Sequence, residues 1–220
     1  MSLPVMLDSS PLTIPTTPAL DSLRTRFPDA KFLVVSFARG HWCPFCRTFA
    51  SVLQKNRGSI EALGGRIVVA SSQLGNLIPT DWAKPTATFK EPFTLDFFED
   101  SDASLGAHLG VVLEACADSS KHGQYKDPNS MTQPGVFVLR PSSDGSQWDV
   151  LVRWVHVSKA SNIYGAIGRP DVNELIRATQ TAMAAETKTA PITLVKRQAG
   201  MHVWNVLPKK IWDVVSSVFW

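Results

Sequence analysis

The chain combines short, nearly continuous runs of apolar residues with amphipathic stretches. Two runs, residues 31–37 and 66–70, are apolar at almost every position, which is typical of strands buried on both faces of a sheet. Between them, the turn at Cys46 is followed by a predicted helix that ends at about Asn56. Its apolar positions fall at helical spacing, namely Phe45, Phe49, Val52 and Leu53. Strand, helix and strand in this order predict a parallel, right-handed βαβ unit.

The second half of the chain continues the pattern after a loop-rich, proline-containing segment at 71–95. Leu105, His108, Leu109 and Val112 share one side of a predicted helix over 101–112. A polar, turn-prone segment at 117–133 precedes strands at 135–139 and 149–157, which a turn joins into an antiparallel hairpin. Residues 171–185 form a last predicted helix of the main unit, with Pro170 in its first turn.

Both ends of the chain differ from this central region. Residues 1–20 are rich in proline, serine and threonine and predict an extended arm. Residues 21–190 form the predicted domain, and 191–220 form an extension with an amphipathic helix. We expect that helix to be a packed terminus or a homodimer contact rather than a peripheral membrane anchor.

Composition narrows the class of protein. A hydrophobic content of 44% with 19% charged residues describes a soluble globular chain. The net charge of +3 is small, and no run of five basic residues occurs, so nucleic acid is not expected as a partner. The first residues do not resemble a secretory signal, and no apolar stretch is long enough to span a membrane. We therefore expect a cytoplasmic protein.

The most informative motif is Cys43-Pro44-Phe45-Cys46 at the predicted start of a helix. The helix dipole and free backbone N–H groups lower the pKa of a thiol placed there, and only the thiolate attacks disulfides or peroxides. The only other cysteine is Cys116, which we interpret as a small buried residue, so a four-ligand zinc site is not expected. The motif predicts a redox-active disulfide.

A proline at the start of the third buried strand completes the pattern. The order of elements, with Pro134 placed opposite the cysteines, is that of a thioredoxin-like, three-layer α/β/α sandwich with a central mixed sheet. A cis bond between Gln133 and Pro134 would keep a backbone edge open beside the sulfurs, where an extended substrate could pair. We therefore expect Pro134 to be cis.

The segment Val34 to Arg47 resembles the thioredoxin-like AhpC/TSA proteins, in the peroxiredoxin-like branch with an RGxWCPxC signature. The resemblance covers about residues 20–185, including Pro134 to Leu139. It implies a thiol-disulfide oxidoreductase or peroxiredoxin-like peroxidase with an antioxidant role. Electrons would come from a glutathione or thioredoxin system, with no bound cofactor.

The resemblance leaves the roles of the two cysteines open. In one register Cys43 is the exposed nucleophile and Cys46 the resolving thiol. In the PxxxTxxC register of typical peroxiredoxins, Cys46 is the peroxidatic cysteine, Cys43 occupies the threonine position, and Arg39 stands where proline is expected. Arg140 and Arg153, on the predicted hairpin, are both candidates for an arginine that stabilises the thiolate, and neither is preferred.

Residues around the motif are candidates for tuning the thiol or binding substrate. Arg39, His41 and Arg47 place positive charge near the pair, which favours the thiolate and could bind a carboxylate of glutathione. Trp42 is expected to pack beside the site, and Gln133 precedes the proline that faces it.

Two other functions remain open at this stage. One is a catalyst in a biosynthetic pathway that acts on a small organic molecule without net redox change, with the segments at 71–95 and 113–133 forming its pocket. The other is a non-catalytic binding module that uses the strand edge at Pro134.

Overall fold

A computed structural model describes residues 12–156, 169–185 and 190–194 of the chain. In these ranges the strands are β1 (Thr13–Pro15), β2 (Phe32–Phe37), β3 (Gly65–Ser71), β4 (Asp96–Glu99), β5 (Leu113–Glu114), β6 (Met131–Thr132), β7 (Gly135–Pro141), β8 (Gln147–Val155) and β9 (Ile192–Thr193). The helices are α1 (Pro18–Arg26), α2 (Pro44–Lys55), α3 (Arg57–Ala62), α4 (Leu77–Trp82), α5 (Ser104–His108) and α6 (Val172–Ala184), with a 3₁₀ helix at Ser119–Gln124.

The central sheet is mixed and has the order β1-β8-β7-β2-β3-β4, with β9 paired to β8. Strands β2, β3 and β4 run parallel, and β7 pairs with β2 in the antiparallel sense. The predicted βαβ unit and the predicted antiparallel hairpin of β7 and β8 are both confirmed. Strand β2 is paired on both sides and so lies in the interior of the sheet. The cysteine turn follows its carboxyl end directly in the sequence.

Two apolar layers cover the two faces of this sheet. Every residue of β2 is buried, and neighbours such as Val34 and Val35 belong to different clusters because side chains alternate along a strand. Helices α2 and α6 pack on one face, where the cysteines lie. Helices α1 and α5 pack on the other. The predicted three-layer α/β/α sandwich with a central mixed sheet is confirmed.

Several local predictions differ from the structure. The predicted arm contains β1, which pairs with β8, because backbone hydrogen bonds to an open strand edge order even a short proline-rich segment. The segment 71–95 contains α4, and β4 extends the sheet beyond it. The helix predicted over 101–112 is only Ser104–His108, since Gly110 adopts a positive φ of 75° that ends it. The domain boundaries remain predictions, and the proposed C-terminal helix lies outside the described residues.

Among the described residues, none of the helices combines the length and apolar character needed to cross a lipid bilayer.

Candidate active site

Cys43 and Cys46 lie at the amino end of α2, as the motif predicts. Cys43 is the N-cap residue, and its Sγ accepts a hydrogen bond from the Cys46 backbone N–H at 3.3 Å. The turn before the helix is closed by a bond from Cys43 N–H to the carbonyl of Gly40, at an N···O distance of 3.1 Å. The two cysteine side chains approach each other to 2.5 Å. This geometry brings the sulfurs within reach of a disulfide.

Arginines on two different elements point at the sulfur pair. Arg169, just before α6, donates from Nη2 to Cys46 Sγ at 3.0 Å, and its guanidinium lies 5.0 Å from the centroid of the Phe49 ring. Arg39, which is 4% exposed, donates from Nη2 to Cys43 Sγ at 3.6 Å. Positive charge therefore reaches the sulfurs from both the end of β2 and the start of α6.

These surroundings separate the two cysteines chemically. Burial opposes ionisation of Cys46, but the hydrogen bond from the Cys43 thiol and the charges of Arg169 and Arg39 outweigh it. The pKa of Cys46 therefore lies well below its ordinary value. Burial raises the pKa of Cys43, and its neighbour Cys46 raises it further. The hydrogen bonds and charges at this site therefore favour the thiolate form of Cys46 over that of Cys43.

The expectation of an exposed Cys43 is wrong. Cys43 is 0% exposed and Cys46 is 2% exposed. Trp42 packs against the apolar cluster that contains both cysteines, and Tyr125 of the segment 113–132 bonds to Trp42 and to the Arg39 carbonyl in the turn that precedes them.

Tyr125 anchors the segment that covers the turn. Its hydroxyl donates to the carbonyl of Arg39 at 2.7 Å and accepts from Trp42 Nε1 at 3.2 Å. Lys121 Nζ lies 4.9 Å from the centroid of the Trp42 ring, and the Arg39 guanidinium lies 5.5 Å from it. Trp42 therefore packs beside the site as predicted, in contact with two cations and a phenol.

Gly40 marks how closely these groups converge. A Cβ atom at this position would lie 2.6 Å from Trp42 Nε1, 2.8 Å from the Tyr125 hydroxyl oxygen and 3.1 Å from Gln73 Nε2. Only a residue without a side chain fits this turn while Trp42, Tyr125 and Gln73 keep their positions.

The expectation of a cis Pro134 with an open edge is wrong. In the described residues every peptide bond is trans, and Pro134 is buried. The backbone groups on either side already have partners: Gln133 N–H donates to the Val112 carbonyl at 2.8 Å, and the Pro134 carbonyl accepts from His156 N–H at 3.0 Å. The Gln133 side chain is also buried, and its amide makes no hydrogen bond within the described part of the molecule.

Two other arginine candidates, Arg47 and Arg140, bond to groups other than the sulfurs. Arg47 Nη2 donates to the carbonyls of Trp82 and Lys84 at 2.9 and 2.6 Å, at the end of α4. Burial lowers the pKa of Arg47. Arg140 pairs with Asp149 at 3.1 Å on the hairpin. These contacts support a structural role for Arg47 and Arg140.

His41 is held in place by a residue that the sequence reasoning did not select. Its backbone N–H and its ring Nδ1 both bond to the side-chain amide of Gln73, at 2.7 and 2.8 Å. Its Nε2 faces Asp81 Oδ2 at 3.7 Å.

Sequence reasoning also missed Arg169 and Tyr125. An aromatic residue within the otherwise polar segment 117–133 was a usable signal for Tyr125. The Ser71-Ser72-Gln73 run at the end of a buried strand was a usable signal for Gln73, but nothing in the sequence distinguished Arg169 from other arginines. Cys116 is buried against Tyr125 and Met131, as its interpretation as a small buried residue requires.

Within the described ranges, no group of three or more histidine, cysteine, aspartate or glutamate side chains is arranged to hold a metal ion. The groups at this site that can take part in chemistry are the two sulfurs and the two arginines that donate to them, with Trp42 and Tyr125 packed beside them.

Comparison with known proteins gives a structural answer only. No protein-family model matches the chain, and no curated protein sequence does. The structure is similar to Enterococcus faecalis AhpC, with 16% identity, a TM-score of 0.51, and coverage of 83% of this chain and 95% of that one. It is similar to a reduced 2-Cys peroxiredoxin of Plasmodium vivax, with 14% identity, a TM-score of 0.51, and coverage of 73% and 84%.

Mycobacterium bovis AhpC is a third similar structure, with 14% identity, a TM-score of 0.50, and coverage of 85% of this chain and 95% of that one. Identities this low carry information about architecture and not about chemistry. On the strength of its sheet order, layers and structural neighbours, the chain has the thioredoxin-like fold of the AhpC/TSA type.

Proposed function

We propose that the protein is a thiol-dependent peroxidase in which Cys46 attacks a small hydroperoxide and Cys43 then forms a disulfide with it. The observation that carries the proposal is the hydrogen bond of 3.0 Å from Arg169 to Cys46 Sγ, in a site where Cys43 also donates to that sulfur. Donated hydrogen bonds and nearby positive charge stabilise a thiolate, and both lower the pKa of Cys46. The thiolate is the reactive form toward peroxides.

The steps balance with one co-reactant. The Cys46 thiolate attacks one oxygen of ROOH, the O–O bond breaks, and the alkoxide leaves as ROH after taking a proton. Cys46 is then a sulfenic acid. Cys43 attacks this sulfur and water leaves, so a disulfide forms. Two external thiols reduce that disulfide and become oxidised to a disulfide themselves.

The burial of the pair favours a small substrate over a protein disulfide. Cys46 is 2% exposed beneath Trp42 and the Tyr125 segment, so little room is available for a polypeptide. The edge at Pro134 is also occupied by bonds to Val112 and His156, which removes the pairing mode of an extended chain. The same facts count against a binding module that uses this edge.

The external reductant in this proposal is glutathione or a thioredoxin, and the compartment is the cytosol, where thiol donors are kept reduced. A homodimer is compatible with the proposal and is not required by it.

The experiment uses three serine variants of the pre-reduced protein, which is mixed with hydrogen peroxide and followed by peroxide consumption and intact mass. We expect wild type to lose two hydrogens. We expect Cys43→Ser to gain one oxygen atom on Cys46, because the sulfenic acid has no resolving partner. We expect Cys46→Ser to consume no peroxide above background.

Cys116→Ser is the matched control, since it removes a buried thiol from outside the pair, and we expect it to react like wild type. Peroxide consumption by Cys46→Ser at the wild-type rate would refute the proposal. If Cys46→Ser instead formed a sulfenic acid on Cys43, Cys43 would be the nucleophile and Cys46 the resolving thiol.

A further inference from the structure

The side chain of Gln73 joins three parts of the candidate site. It is 1% exposed and lies just beyond the end of β3. Its Oε1 accepts from the His41 backbone N–H at 2.7 Å, and its Nε2 donates to Gln124 Oε1 at 2.8 Å. The same Nε2 lies 2.8 Å from His41 Nδ1. One amide therefore connects the sheet, the cysteine turn and the covering segment.

The orientation of this amide follows from the chemistry of its partners. The His41 backbone N–H can only donate, so the Gln73 atom that faces it must be the carbonyl oxygen. The NH₂ group then faces His41 Nδ1, which must accept. A neutral histidine that accepts at Nδ1 carries its proton at Nε2. Gln73 thereby selects the Nε2–H tautomer of His41.

The turn that Gln73 holds leads directly to the reactive sulfur. His41 and Trp42 are the central residues of the turn closed by Gly40 and Cys43. The carbonyl of His41 accepts from Trp82 Nε1 at 2.8 Å, so the backbone of His41 is fixed on both sides. Cys43, the next residue but one, donates to the Cys46 thiolate. A small shift of the turn would therefore move the donor that stabilises the nucleophile.

We propose that Gln73 is a positioning residue for this site: its amide fixes the His41 tautomer and the Gly40–Cys43 turn, and so sets the reactivity of Cys46. The proposal rests on the proposed role of Cys46 as the nucleophile. The side-chain hydrogen bonds of Gln73 lead to His41 and Gln124 and not to the sulfurs, so Gln73 acts through the turn. Displacements of this kind away from the reacting atoms reduce rates by about ten- to a hundredfold.

The test has two readouts that need no peroxide turnover. The first is the ¹⁵N NMR signature of the His41 ring, assigned by the signals lost in His41→Phe. We expect the Nε2–H tautomer in wild type. In Gln73→Glu a carboxylate oxygen replaces the amide NH₂, so Nδ1 should carry a proton. An Nδ1–H tautomer in wild type, or an unchanged tautomer in Gln73→Glu, would overturn the proposal.

The second readout is the pH at the midpoint of the rate profile for alkylation of Cys46 by iodoacetamide in Gln73→Leu. We expect this midpoint to move to higher pH, because a displaced Cys43 donor stabilises the Cys46 thiolate less. The matched control is Gln54→Leu, because the Gln54 amide also bridges two groups, Pro92 O and Thr94 N, but on an exposed surface. Equal midpoints in the two variants would overturn the proposal. If Gln73→Leu does not fold, the tautomer measurements on wild type and Gln73→Glu still decide.

A protein that fails the peroxide experiment can still pass both of these tests. The failure of the peroxidase proposal and the failure of the positioning role are therefore distinguishable.

Discussion

The middle of the central sheet and the carboxyl ends of β2 and β3 are buried to the same degree by different means. In the middle, Val35, Val68 and Phe137 are each at most 1% exposed, and their side chains are wholly apolar. At the carboxyl ends, Gln73 and Thr132 are equally buried and polar. The Thr132 hydroxyl donates to the Ala38 carbonyl at 3.2 Å, and Gln73 holds His41.

This difference determines whether a substitution changes only the stability of the protein or also the geometry around the sulfurs. Apolar packing is non-directional, so a substitution in the middle of the sheet changes stability through lost contacts and leaves distant geometry intact. A buried hydrogen-bond network is directional, and each partner that is removed leaves another group unsatisfied. Variants at the carboxyl ends should therefore alter sulfur reactivity more than their effect on stability suggests.

Phe137→Ala, in the middle of the sheet, should lower the stability strongly and leave the reactivity of the sulfurs almost unchanged. Phe137 packs edge-on against Phe37, with ring centroids 6.0 Å apart. Phe137→Ala removes this contact and leaves a cavity, so the free energy of unfolding should fall by about 3–5 kcal/mol. Urea unfolding measures this loss. The alkylation rate of Cys46, taken where the variant is folded, should stay within about threefold of wild type, and a larger drop would show that the two regions are coupled.

Arg169→Met should produce the largest change in reactivity. It removes a charged donor to the thiolate, an interaction of about 1.5–3 kcal/mol, so alkylation of Cys46 at neutral pH should slow by about ten- to a hundredfold. Because Arg169 lowers the pKa of Cys46, the midpoint of the pH–rate profile should move to higher pH. Arg140→Met, which breaks the pair with Asp149, is the control and should leave the midpoint in place. An unmoved midpoint in Arg169→Met would contradict the assigned thiolate.

Gly40→Ala tests the covering segment with a smaller effect. The added Cβ collides with Trp42 Nε1 and the Tyr125 hydroxyl, so unfolding should become easier by about 1–3 kcal/mol. The cover should also open more often, so Cys46 should alkylate faster. Gly58→Ala is the matched control, because its Cβ meets nothing within 4 Å inside α3, and it should stabilise the protein by up to about 1 kcal/mol. Slower alkylation in Gly40→Ala would show that the segment does not limit access.

Glu61→Gln should have the smallest effect on stability, because it removes an ion pair on the exposed surface. The pair between Arg66 Nη1 and Glu61 Oε1 is 2.8 Å long, and both side chains are well exposed. Its loss should cost about 0.2–1 kcal/mol, and the difference should disappear in high salt. A cost that persists in high salt would mean that the pair contributes through its hydrogen bond and not through its charges.

Much of the fold could be predicted because its signals are local. The runs at 31–37 and 66–70 identify fully buried strands, and the motif at Cys43 marks the helix that follows. β4 was missed because Asp96–Glu99 is short and only partly buried, so it carries little apolar pattern. β1 was missed because pairing along β8, and not propensity, orders Thr13–Pro15.

The site was predictable only as far as contacts are close in sequence. Cys43 and Cys46 follow from their spacing, and Trp42 follows from its place beside them. Arg169 lies 123 positions from Cys46, and no periodicity links the two. The exposure of Cys43 was wrong for the same reason, since the apolar cluster that contains it includes residues of α6 such as Leu175, which are distant in the sequence.

The outer edge of β8 has a consequence for anyone who shortens this chain. β1 pairs antiparallel with Gln147–Asp149, and β9 pairs parallel with Val152 and Arg153, so two short strands from opposite parts of the sequence share one edge. Removing either would leave unpaired N–H and C=O groups on a long hydrophobic strand, which is a template for intermolecular strand addition. Fragments that retain the cysteine motif but lack residues 13–15 or 192–193 should therefore oligomerise or precipitate on expression.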